Sequence, residues 1–209
     1  AAFVGHPDEV ASFVERIRAS EQFIPELALV AEDSSGVIAH VMLSWVGVEG
    51  GSRTRILNLT PMSVRPDRQR MGVGGRLIRD ALSRAEEARE PAVMVEGVAA
   101  YYPRFGFEQA SALGFISPHP KIPDEAFMVK RLPGYSPDLA GRIRFPPRST
   151  VSGTSGGLPA DAEPEDRGVA RARAADRFEV HPGEPRGREP DAVAEQHRQH
   201  IDQHLVDES

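Results

Sequence analysis

The chain contains no cysteine, which excludes disulfide bonds, thiolate nucleophiles and cysteine-ligated metals. It holds no apolar run approaching the ~18 residues of a membrane-spanning helix, and its start shows no secretory leader pattern. A basic excess is missing as well: 25 Lys and Arg face 31 Asp and Glu, for a net charge of −6. Up to Ser149 the charges balance at 18 basic and 18 acidic residues, so the whole surplus lies from Thr150 onward, with 7 basic and 13 acidic. A neutral body with an acidic tail offers no field for sequence-independent nucleic-acid binding. No Gly-Lys-Ser or Gly-Lys-Thr occurs, which removes a Walker-type phosphate loop. These absences describe a soluble, cytoplasmic protein with neither nucleic acid nor membrane as partner.

What is present divides at about residue 149. Residues 8–18 (DEVASFVERIR) carry Val10, Phe13, Val14 and Ile17 at helical spacing, an amphipathic helix that packs on a sheet. LALVAE (27–32) and VIAHVMLSWVGV (37–48) flank the turn DSSG, an antiparallel hairpin. ILNLTPMSV (56–64) is a further strand. A helix over 73–89 follows, with Val73, Leu77, Ile78, Ala81, Leu82 and Ala85 on one face. AVMVEG (92–97) has the unbroken apolar character of a buried parallel strand, so strand, helix and strand form a right-handed βαβ unit. AAYYPRF (99–105) reads as a short helix stopped by Gly106, and EAFMVKRL (125–132) as the last strand. From Thr150 only 9 of 60 residues are Val, Ile, Leu or Phe, too few to offset chain entropy, so 150–209 is expected to be a largely disordered tail. A helix over 191–206 could line up His197, His200 and His204, but a metal would need a fourth ligand.

The chemistry concentrates in RQRMGVGGRL (68–77), where three glycines fall within four positions at a strand-to-helix junction. A dinucleotide fingerprint needs a glycine where Leu77 stands. Gln69-x-x-Gly72-x-Gly74 instead suits consecutive backbone N–H groups closing on an oxyanion at the positive end of a helix, with Arg65, Arg68 and Arg70 adding charge nearby. A plain glycine-rich loop is the competing reading, and the loop alone does not choose between them.

The segments PELALVAE (25–32), MSVRPDRQRMGVG (62–74), YYPRFGF (101–107) and FPP (145–147), in this order, resemble the GCN5-related N-acetyltransferase (GNAT) superfamily, in its YhbS-like branch. The resemblance covers about residues 1–149 and implies an α/β (α+β) fold, a mixed sheet whose parallel central strands splay apart, flanked by helices. It implies an N-acetyltransferase that uses acetyl-coenzyme A and a small-molecule or peptide amine as acceptor. Met62, Ser63 and Val64 would pair through their backbones with the pantetheine arm. Gln69, Arg70, Met71, Gly72, Val73, Gly74, Gly75 and Arg76 would form the pyrophosphate cradle, and a bulge near Thr60 and Pro61 would aim an N–H at the thioester carbonyl. The tyrosine of this superfamily that donates a proton to the departing thiolate corresponds to Tyr102.

The general base does not carry over from the resemblance. Arg68 stands where some relatives have a glutamate, and Asn58 and Thr60 where others have histidines. Glu96, at the carboxyl end of its strand where α/β crevices open, is the leading candidate, followed by Glu26 and His119. A non-catalytic acyl-coenzyme A sensor or partner-binding module is the alternative that an absent base leaves open. Relatives begin with a further strand before the first helix, so one edge strand is expected to be missing here, and a homodimer is one way to cover that edge. No metal is expected.

Overall fold

The computed structural model describes residues 7–145; the acidic tail, its histidine pattern and the opening residues lie outside them. The element order is α1 (Pro7–Arg18), β1 (Phe23–Asp33), β2 (Gly36–Glu49), β3 (Arg55–Val64), α2 (Val73–Glu87), β4 (Ala92–Glu96), β5 (Glu108–Gln109), β6 (Phe127–Arg131) and β7 (Arg142–Arg144). They form one seven-stranded mixed sheet in the order β1-β2-β3-β4-β6-β5, with β7 paired to the far end of β2. The α/β class, the hairpin and the βαβ unit stand as the sequence patterns predict. Among the described residues β1 forms one edge of the sheet.

The sheet is buried on both faces by two separate apolar sets. On one side α2 lays Val73, Leu77, Ile78, Ala81, Leu82 and Ala85 against Leu29, Val41, Leu43, Leu57, Leu59, Val93 and Val95. Each fully buried Leu or Ile contributes roughly 1.5–3 kcal/mol, so this helix is anchored along its length. On the other side Val46, Ile56, Met94, Phe115, Phe127, Leu139 and Ile143 form a second cluster beneath the first halves of β3 and β4. That cluster depends on β7, which the sequence reading omits, since EAFMVKRL is not the last strand. Arg142–Arg144 is three residues long with one apolar side chain, too short for an alternation to show, and Ile143 is recruited by pairing with Val48 on one side and by donating to the Ile116 carbonyl on the other.

The turn between β1 and β2 is tied to the loop before α2. Asp33 accepts hydrogen bonds from the Ser35 backbone N–H at 2.7 Å and from Arg68 Nε at 2.9 Å, and Arg68 Nη1 also reaches Asp67 at 2.7 Å. The Ser35 hydroxyl and amide, then the Arg68 guanidinium, pull the Asp33 pKa from its ordinary 3.8 to about 2. A depressed carboxylate pKa adds stability that is present above the ordinary value and is lost as pH falls through the folded one. Replacing Asp33 with Asn is therefore expected to lower stability at neutral pH, with the gap from the parent closing between about pH 4 and pH 2. Urea unfolding at a series of pH values reads this out, and a gap that stays constant across the window counts against it.

Candidate active site

The site begins where β3 and β4 part. These parallel neighbours are registered at only two positions, Leu57 with Val93 and Asn58 with Met94. Beyond that point β3 stays with β2, as Val41 pairs with Met62, His40 with Ser63 and Ala39 with Val64. β4 stays with β6, through Val95 with Met128 and Glu96 with Phe127. The β2–β3 register slips between Val41 and Leu43, so Thr60 and Pro61 together oppose Met42 in a bulge, as the resemblance implies. Pro61 has no N–H to donate, and it sits where the ladder toward β4 has already ended. The backbone edge of Met62, Ser63 and Val64 thus keeps a strand partner on its β2 side alone.

The glycine turn lies at the mouth of this fork. Gln69 Nε2 donates to the Val64 carbonyl at 3.0 Å, which fastens the loop to the end of β3. Arg70 and Gly72 adopt left-handed backbone at φ 61° and 83°, and for Gly72 this is the freedom the turn requires. The residue capping α2 is Gly72 itself, and no side chain caps the first turn, which leaves amides of Val73, Gly74 and Gly75 directed outward. Gly74 is needed for close approach: a Cβ there would stand 3.1 Å from Val64 Cγ2, 3.5 Å from Met62 Cε and 3.5 Å from the Tyr101 hydroxyl. Met71 and Arg76 lie exposed at the rim, and Arg76 pairs loosely with Asp80 at 3.8 Å.

Tyr102 opens the short turn Tyr102–Phe105 and is 2% exposed, on the α2 side of the sheet. Its ring stands edge-on to Tyr101 at 5.3 Å and to Phe107 at 5.6 Å, and it lies so close to the end of β4 that a methyl on Gly97 would overlap it. Burial, then the neighbouring Tyr101, pushes the phenol above its ordinary pKa of 10.0, so the hydroxyl keeps its proton at physiological pH. Glu96 projects to the opposite face, two residues beyond Met94, with one carboxylate oxygen fully buried. A proton donor and a carboxylate therefore flank the fork on its two faces.

Other expectations change. Arg65 and Arg68 are engaged by Asp67, Ser35 and Asp33, so they brace the loop instead of offering free charge to a ligand. Glu26 is exposed, its carbonyl accepting from Arg84 at 3.2 Å. His119 uses Nδ1 to accept the Lys121 amide at 3.1 Å within its own loop. The structure brings to the fork two side chains that the sequence does not single out. Ser44 faces Asn58 across β2 and β3, each 4% exposed, and His40 lies on the same face of β2. Burial, then the charge of Arg18, lowers the His40 pKa from 6.5 to about 4, which keeps it neutral at pH 7. A run of polar residues at alternate positions of an apolar strand, His40 and Ser44, is the signal that could have found them.

Because Gly97 and Tyr102 are in such close contact, Gly97→Ala is expected to displace the ring and destabilise the fold by about 1–3 kcal/mol. Denaturant unfolding measures this; unchanged stability would mean that the ring can leave its seat freely.

Comparison with known proteins agrees with this geometry. Residues 25–109 match the family model for the acetyltransferase (GNAT) domain. Over 147 residues the chain is 35% identical to the uncharacterized N-acetyltransferase YjhQ of Escherichia coli strain K12, taking in 68% of this chain and 78% of that protein. The fold is similar to that of YhbS, a GNAT family N-acetyltransferase from Escherichia coli solved in complex with CoA, with 27% identity and a TM-score of 0.56 over 66% of this chain and 76% of that one. It is also similar to a GNAT family acetyltransferase from Brucella melitensis solved in complex with acetyl-CoA, with 26% identity and a TM-score of 0.52 over 69% of this chain and 81% of that one. With a parted strand pair, an uncapped helix start at its mouth and these likenesses together, the chain belongs to the GNAT acetyltransferase family.

Proposed function

We propose that the protein transfers an acetyl group from acetyl-coenzyme A to a primary amine by direct attack, with no covalent enzyme intermediate. The observation that carries this reading is the fork itself, a β3 edge without a partner beyond Asn58, beside an uncapped helix N-terminus. An extended pantetheine arm with two amides suits the edge of Met62, Ser63 and Val64 as an added strand would. A pyrophosphate suits the amides of Met71 to Gly75, with the helix dipole behind them. Gln69 holds Val64 in place for both, while Arg70 and Arg76 flank the rim. A groove of about 320 Å³ between α2 and the Tyr102–Phe105 turn, flanked by Arg79, Arg104 and Lys130, begins next to Gly75 and suits the remaining nucleotide end.

Acetyl-coenzyme A supplies the acyl group as a thioester. Glu96 takes a proton from the incoming ammonium, so that its nitrogen can bond to the acyl carbon. An amide of the Thr60–Pro61 bulge stabilises the negative charge that develops on the carbonyl oxygen; Pro61 has no N–H, which leaves that task to Thr60 or Met62. Tyr102 hands its proton to the sulfur as the carbon–sulfur bond breaks, and the second proton that the nitrogen loses on becoming an amide restores the phenol. The amine enters from the face that holds Glu96, and the sulfur departs toward the face that holds Tyr102.

Acetyl-coenzyme A is expected to raise the melting temperature, and Gly74→Val to abolish that rise by filling the contact with Val64. Tyr102→Phe is expected to lower kcat by about a hundredfold while the dissociation constant for acetyl-coenzyme A stays within about twofold. Thiol release with a broad amine panel measures kcat. Binding of the donor with no release above hydrolysis would favour a non-catalytic acyl-coenzyme A sensor.

A further inference from the structure

The turn that follows β4 meets the start of α2 through two pairs of a glycine and an aromatic side chain. A Cβ on Gly75 would stand 3.6 Å from Phe105 Cζ, and a Cβ on Gly74 would stand 3.5 Å from the Tyr101 hydroxyl. Phe105 makes its contact with a bare ring edge, whereas Tyr101 makes its own through an oxygen. The Tyr101 ring is already seated, with Tyr102 edge-on at 5.3 Å, Phe105 at 5.5 Å and the Arg104 guanidinium over its face at 4.7 Å. A phenylalanine would meet those packing needs, so the hydroxyl calls for a separate account.

That oxygen lies at the mouth of the fork. The other atoms nearest to a Cβ on Gly74 are Val64 Cγ2 and Met62 Cε, so the Tyr101 hydroxyl, the end of β3 and the first turn of α2 meet at one point. Tyr101 reaches this point from the opposite arm. Its backbone N–H donates to the Val98 carbonyl at 2.9 Å, which fixes it to the chain leaving β4, and its side chain packs on the α2 face with Met62 and Val64. It therefore crosses the fork, and it is half-buried where Tyr102 is 2% exposed. The surroundings are positive, with Arg104 over the ring and the uncapped start of α2 beside the hydroxyl. In such a place the O–H of a phenol suits an anionic oxygen.

We infer that the Tyr101 hydroxyl donates a hydrogen bond to the phosphate that carries the pantetheine arm of the coenzyme. This rests on the acetyl-transfer reading and adds to it a donor-binding residue outside the glycine turn. That phosphate is the one chosen because the hydroxyl lies between Gly74, whose amide belongs to the pyrophosphate cradle, and Val64, where the edge for the pantetheine begins. The two adjacent tyrosines then divide the work. Tyr101 fixes the donor where phosphate and arm join, and Tyr102, on the same face of the sheet, serves the sulfur.

The test measures binding of coenzyme A, phosphopantetheine and pantetheine to the parent protein and to Tyr101→Phe, by calorimetry and by melting-temperature titration, so that it does not depend on the amine. The first two ligands keep the phosphate that carries the arm, and pantetheine lacks it. Tyr101→Phe is expected to weaken coenzyme A and phosphopantetheine about tenfold each, the size of one hydrogen bond to a charged group, and pantetheine by less than about twofold. With an amine that is turned over, kcat at saturating acetyl-coenzyme A should stay within about twofold, because the bond is present before the reaction and during it. A loss shared equally by all three ligands, or a lower melting temperature of the free protein with unchanged affinities, marks a packing role and overturns the inference. A loss confined to coenzyme A overturns it as well, since the hydroxyl would then serve the nucleotide end. Should the phenylalanine variant prove unstable, Tyr101→Leu is measured in the same way, because the ratio between phosphorylated and unphosphorylated ligands cancels a common packing loss. If coenzyme A does not bind the parent protein, the acetyl-transfer reading falls and this inference with it; if it binds and the ratios are unchanged, the inference alone falls.

Discussion

Two parallel strands that hydrogen-bond at two positions and then diverge set the conditions for the rest of this molecule. A parted ladder leaves backbone donors and acceptors facing a cleft, and burial without partners is costly for such groups. The divergence persists because each strand is held from its other side. β2, fourteen residues long, carries β3 through to Val64, and β6 carries β4 through to Glu96. α2 closes one face by packing Leu77, Ile78, Ala81 and Leu82 across both strands. The cleft is thus a wedge with a rigid floor, lined by polar backbone and open toward an extended ligand rich in amides.

The mouth of this wedge offers backbone amides more than net charge. Two arginines that precede the glycine turn are consumed locally, Arg65 by Asp67 and Ser35, Arg68 by Asp33 and Asp67. Elsewhere Arg131 pairs with Glu108 at 2.6 Å and Arg144 with Glu49 at 2.7 Å. A body whose charges balance in this way presents no broad positive field. What it presents instead is a helix start whose donors no side chain satisfies. Such a feature is local and geometric.

The sheet also separates two chemical environments. On the α2 face, Tyr102 lies among Phe107, Tyr101 and aliphatic side chains, where burial favours the neutral phenol. On the other face, Asn58, Ser44, His40 and Glu96 bring polar groups to strands that also carry Val46, Ile56 and Met94 of the second apolar cluster. The buried phenol and the polar groups are thereby kept apart by the thickness of one sheet.

By itself the sequence determined the elements and the glycine turn, because their signals are local. The 3.6-residue periodicity of Val73 to Ala85, the apolar run Ala92 to Val95 and the spacing of Gln69, Gly72 and Gly74 each act within a few residues. The short turn ending at Gly106 was legible for the same reason, whereas the bulge at Thr60 and Pro61 was an implication of the family resemblance. Only the tertiary structure decided that β7 completes the sheet, that Asp33 captures Arg68 across 35 positions, and that His40, Ser44 and Asn58 share one face. Those facts depend on strand register and on contacts between residues far apart in the chain. Sequence patterns reveal which face of an element is apolar; which distant element covers that face is set by packing.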